Sequence, residues 1–140
     1  MSATTTATPM IEELRDGHRV LACIICAGHR AEETKFVTPP EWNQQVGFVV
    51  YPAGASIPRH RHCPMRREIV GTGEVLIVRS GRCELDLFAD DDRHVLSREL
   101  RAGDVLILIA GGHGFRMLED TVLLEVKQGP YTGLAEKVFF

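Results

Sequence analysis

Thirteen glycines and seven prolines punctuate a chain of 140 residues. Glycine adopts backbone conformations closed to other residues, and proline lacks the N–H donor, so neither readily continues a helix or an interior strand. Between them lie runs rich in Val, Ile and Leu, mostly about five to nine residues long, which is the length of a β-strand. Many short strands joined by turns build a sandwich or a barrel.

The runs at residues 19–27, 46–51, 57–62, 74–79, 83–89, 95–100, 105–110, 115–118 and 121–127 read as about nine strands. Ser80-Gly81-Arg82 marks a hairpin between the fourth and fifth, and residues 115–118 with 121–127 read as the last hairpin. Asp90-Asp91-Asp92 reads as a solvated turn, and Gly111-Gly112-His113-Gly114 breaks the apolar run before it. Residues 11–14 read as one helical turn. Residues 1–10 are expected to form a disordered arm, with 11–140 as a single all-β domain. A chain of this length buries roughly 68–70% of its unfolded surface and needs no disulfide to fold.

The net charge is −3, which excludes the basic footprint of a nucleic-acid binder. No apolar run approaches the roughly 18 residues of a membrane span, and MSATTTATPM lacks the blocks of a signal peptide, so a cytoplasmic protein with no membrane partner is expected. Cys23 and Cys26 form a C-x-x-C pair, but within an apolar strand-like run that sends them to opposite faces. They read as buried small hydrophobes, and Cys63 and Cys83 as isolated free thiols.

Three of the six histidines stand apart. His60 and His62 are two residues apart in an extended segment; on a strand such residues share a face, with bases about 6–7 Å apart, and two imidazoles can converge on one ion. His113 is framed by Gly112 and Gly114. His18, His29 and His94 lie in polar, loop-like surroundings and read as solvated.

Gly54, His60 and His62 have the spacing of the opening of the first cupin motif, G-x5-H-x-H-x3–4-E-x6-G, and Glu74 with Gly81 matches its close. Gly103-Asp104, Gly111 and His113 follow the second, G-x5-P-x-G-x2-H. Residues 46–128 thus resemble a small single-domain cupin. Eleven residues separate His62 from Glu74, Ile109 stands at the proline position, and His113 arrives one residue early. Glu68 lies nearer the family spacing from His62 but lacks the six-residue step to a glycine; Glu74 has that step and opens the strand EVLIV, so it is preferred and Glu68 is the alternative.

The resemblance implies an antiparallel jelly-roll barrel with His60, His62, Glu74 and His113 as metal ligands. Three imidazoles and a carboxylate suit one divalent transition metal: iron, manganese, nickel, cobalt or zinc. The expected partner is a polar small-molecule substrate. Glu125, Lys127 and Tyr131 are the candidate catalytic groups, the first two alternating with Val122, Leu124 and Val126 on a late strand. Gln128, clustered with Glu125, Lys127 and Tyr131 after His113, is a candidate substrate contact; Arg66 and Arg67 are candidates for binding a carboxylate or phosphate, with Arg79 and Arg116 as weaker anion candidates. Phe115 and Trp42 read as rim or core aromatics. Oxygen chemistry of the dioxygenase kind and Lewis-acid isomerisation or decarboxylation both fit; a ligand-sensing module without turnover is the alternative of another class. Dimerisation of two copies through an exposed edge strand at 19–27 is the further expectation.

Overall fold

The computed structural model describes residues 10–133 and 135–140. The arm expected at 1–10 lies outside the described residues except for Met10, whose carbonyl accepts a hydrogen bond from the Cys26 N–H at 2.8 Å. The described chain is all β and contains no helix, so none long and apolar enough to cross a membrane. Every strand pairing is antiparallel. Two compact units are formed, one by Met1–His29 with Gly73–Phe140 and the other by Arg30–Thr72.

The larger unit holds eight strands: β1 (Ile11–Asp16), β2 (Arg19–Ile25), β5 (Glu74–Ser80), β6 (Arg82–Phe88), β7 (His94–Arg101), β8 (Val105–Leu108), β9 (Gly112–Met117) and β10 (Val122–Lys127). They form a five-stranded sheet, β1-β2-β8-β5-β10, and a three-stranded sheet, β7-β6-β9. Both contribute to one core. Leu14, Ala22, Ile24, Leu76, Val78, Leu106 and Leu108 come from the first sheet, and Cys83, Leu85, Leu87 and Leu100 from the second. Strand periodicity explains the selection: Cys83, Leu85 and Leu87 alternate with half-buried Glu84, Asp86 and Phe88 along β6.

The smaller unit carries β3 (Lys35–Phe36) paired with β4 (Gly47–Phe48). Only two residues of the expected strand 46–51 pair. Segment 57–62 forms no strand, because Pro58 and Pro64 remove ladder donors around it.

Residues 11–14 are not a helical turn but part of β1, which pairs with β2 and buries Leu14 against Ala22. Four residues cannot hold a helix unaided, and the edge of β2 offers a full ladder instead. That pairing also makes β2 an interior strand between β1 and β8, so the edge expected for a second copy is taken.

Two expected hairpins are crossovers between sheets. β5 and β6 meet at Gly81 yet belong to different sheets, as do β9 and β10. The two crossovers interlock. Arg82 O accepts from the N–H groups of Leu118 and Glu119, and the Arg82 N–H donates to Thr121 Oγ1. Hydrogen bonding to Glu119 and then Glu99 keeps the Arg82 guanidinium above its ordinary pKa. Gly81 has φ +83°, and a Cβ there would sit 2.1 Å from Asp120 O, so the approach requires glycine. Likewise the glycines around His113 do not interrupt the sheet. Only Gly111 turns, with φ +73°, while β9 runs through Gly112 and Gly114 in register with β6.

Cys23 is buried in β2, and Cys26 lies just beyond it, packed against the core; all four cysteines are free thiols. Burial pushes the Cys23 thiol up to about 11, and the Cys26 and Cys83 thiols also rise, chiefly by burial. Because Cys23 titrates above its ordinary 9.0, the stability contributed by its neutral form is whole below pH 9 and is lost as pH climbs through about 11. Near neutral pH, a thiol reagent is expected to modify exposed Cys63 in the native protein while Cys23 and Cys83 wait for unfolding. Mass-mapped labelling tests this, and equal rates at Cys23 and Cys63 without denaturant would refute the packing.

Candidate functional site

The apolar row Leu76 and Val78 on β5 continues to Glu74, two residues earlier and so on the same inward face. Glu74 is the buried carboxylate at the end of that row, with 9% of its side chain exposed. A carboxylate drawn out of water needs a partner. His113 supplies it from the opposite sheet: on β9 it stands across from inward Leu87, and its Nε2 lies 3.2 Å from Glu74 Oε2. The His113 side chain is 35% exposed, so the pair runs from the edge of the core to solvent. Phe115, two residues on and packed against the core, sets its ring edge-on to the His113 ring at 5.9 Å.

A second inter-sheet pair lies at the other side of the sandwich, where Arg98 of β7 donates to Glu12 of β1 at 2.6 Å. Thus β7 lies over β1 and β9 over β5. Three strands cannot cover five, and β10 is left beyond β9. Lys127 stands directly opposite Glu74 in the ladder and Glu125 opposite Leu76, so both are on the inward face of an uncovered strand, and both are exposed. This explains how polar residues come to lie on the core-facing side of a sheet.

The other candidates divide. Gln128 donates its backbone N–H to Gly73 O at 3.0 Å and its side-chain amide to Gly129 O at 2.7 Å. Tyr131 is 89% exposed. Arg116 is held by Glu84 at 2.8 Å. Trp42 is half-buried in the smaller unit. His94 opens β7 and lies 2.9 Å from Ser97 Oγ, while His18 is exposed and His29 half-buried.

His60 and His62 belong to the smaller unit, as do Arg66, Arg67 and Glu68, all exposed. The two imidazoles come together without a strand, centroids 5.4 Å apart at 77°. His60 Nδ1 lies 2.8 Å from Pro58 O. A carbonyl only accepts, so Nδ1 carries the proton and the lone pair of the neutral ring is on Nε2. A backbone carbonyl that holds a histidine in this tautomer is the usual support of a metal-ligating imidazole. The expected ligands therefore form two pairs, Glu74 with His113 and His60 with His62, one in each unit. Among the described residues, no group of three or more His, Cys, Asp or Glu side chains is gathered as a metal site.

Arg59 and Arg61 carry no signal in the sequence beyond their alternation with His60 and His62. Asp104, conspicuous only as part of Gly103-Asp104, is a structural carboxylate; its Oδ1 accepts from the Ala27 N–H at 2.8 Å and its Oδ2 from the Arg101 N–H at 2.9 Å.

Compared with protein-family models, curated proteins and solved structures, the chain matches none.

Proposed function

We propose that the protein is a metal-dependent enzyme of the cupin kind, a jelly roll in which Glu74 and His113 hold one divalent transition ion and which acts on a polar small molecule. The observation that carries this reading is the contact between Glu74 Oε2 and His113 Nε2 at 3.2 Å. Two donors that share one ion at bond lengths near 2.1 Å lie about 3.0–3.4 Å apart, so the pair has the spacing of neighbouring ligands. The donor set fits as well, since imidazole and carboxylate are ligands of first-row divalent metals.

When bound, the ion would supply Lewis acidity, polarising a substrate carbonyl. Glu125 and Lys127 favour this non-redox branch, because proton transfer needs an acid or base beside the polarised group and both share the face of Glu74. In this reading the Glu125 carboxylate accepts the substrate proton. The Lys127 ammonium, across from Glu74, stabilises negative charge developing on the substrate. The reaction class is isomerisation: Glu125 returns the proton to the neighbouring carbon, so no group leaves and no co-reactant is consumed.

Elemental analysis of the purified protein tests the reading. One equivalent of transition metal is expected, lost in a Glu74→Leu variant that stays folded. Failure to retain any added divalent metal would overturn the site. Oxygen consumption with iron bound would replace the Lewis-acid branch by oxygenation, and tight ligand binding without product would replace enzyme by binding module.

A further inference from the structure

Residues 57–68 read IPRHRHCPMRRE, with four arginines between positions 59 and 67 and no acidic residue among them, in a chain whose net charge is −3. All four are exposed. Seven arginines elsewhere are matched, among them Arg19 with Asp90, Arg82 with Glu99 and Glu119, Arg93 with Asp16 and Arg98 with Glu12, whereas exposed Arg79 has no ion pair among the described residues. Among the described residues, Arg59, Arg61, Arg66 and Arg67 have no ion pair at all. Within each pair, Arg59 with Arg61 and Arg66 with Arg67, the backbone spacing of one or two residues is under about a Debye length, where like charges repel with only partial screening. Their fork of N–H donors matches phosphate and carboxylate oxygens two at a time.

We propose that Arg59, Arg61, Arg66 and Arg67 form an anion-binding strip, and that its ligand is a small molecule that carries a phosphoryl group. Four arginines exceed what one carboxylate can engage, whereas a phosphoryl dianion presents three oxygens to several forks. The strip lies wholly within the smaller unit.

The test is isothermal titration of the full-length protein at low ionic strength with inorganic pyrophosphate and, separately, citrate, each with and without EDTA. Pyrophosphate is expected to bind at one equivalent, more tightly than citrate, and to do so in EDTA and in His60→Ala/His62→Ala. Arg59→Gln/Arg61→Gln and Arg66→Gln/Arg67→Gln are each expected to weaken it about tenfold or more, with the Lys counterparts weakened less because charge is kept and the fork lost. Arg19→Gln, a change to an exposed paired arginine, is expected to leave binding unchanged. Equal affinity for citrate would overturn the phosphoryl assignment. Binding abolished by EDTA would overturn the arginine strip and leave a metal-held anion. Absence of binding with metal retained would overturn the strip alone. Tight retention of a short RNA that pyrophosphate cannot displace would overturn the small-molecule ligand.

Discussion

Glu74→Leu is expected to abolish turnover and weaken metal binding beyond the roughly 10–100-fold typical of losing an outer partner, while the fold stays intact or gains stability. Glu74 ends an inward row of Leu76 and Val78, with only 9% of its side chain exposed. Holding a carboxylate there exacts desolvation that the single contact with His113 only partly offsets. Leucine continues the apolar row, and His113, 35% exposed, is free to rehydrate. A gain of about 1 kcal/mol, or a few degrees in Tm, is the expected outcome at this chain length. The opposition of stability and activity is the signature of a residue kept for its chemistry. Metal titration beside thermal melting checks both halves. A Glu74→Leu protein that unfolds, or that binds metal as the parent does, would show the carboxylate to be a structural partner of His113 and nothing more.

Asp104→Ala is expected to cost about 3–5 kcal/mol, a large part of the roughly 5–15 kcal/mol of a typical domain. Its two oxygens serve two backbone donors, Ala27 N–H after β2 and Arg101 N–H at the end of β7, at 2.8 and 2.9 Å. Its own backbone is fastened too: the Val78 N–H donates to Asp104 O, and the Gly103 N–H donates to Val78 O. The residue thus joins β2, β5, and the turn from β7 to β8. Each charge-assisted bond removed, with its part-buried donor left behind, is worth about 1.5–3 kcal/mol. Asp104→Asn retains one acceptor oxygen and is expected to lose about half as much. Urea unfolding measures the difference, and a loss below about 1 kcal/mol for Asp104→Ala would show that water replaces the carboxylate.

Much of this fold is legible along the chain. The alternation in RCELDLF marks a strand with one buried face, and the structure buries Cys83, Leu85 and Leu87 as that pattern requires. The acidic turn at Asp90-Asp91-Asp92 joins β6 and β7 as a true hairpin. The pairing of β1 was hidden because IEEL is too short to favour any conformation until β2 offers a ladder. The candidate site was legible in part. Glu74 and His113 stand out as residue types at suggestive positions, but nothing local says that strands from different sheets bring them within 3.2 Å. Nor does alternation say which face of β10 carries Glu125 and Lys127. That depends on the register with β5.

The sequence by itself determined most of the strands of the larger unit, from β2 and β5 to β10, because glycine, proline and β-branched residues act on the backbone within a few positions. It also determined that the chain is all β. Only the tertiary structure decided which strands pair. Ser80-Gly81-Arg82 encodes a reversal of direction, and a reversal serves a hairpin and a crossover equally well. The choice between them came from burying both inward faces in one core, an energy summed over residues far apart in the chain. That choice set β9 over β5, left β10 uncovered, and so brought His113 to Glu74 and exposed Glu125 and Lys127 beside them.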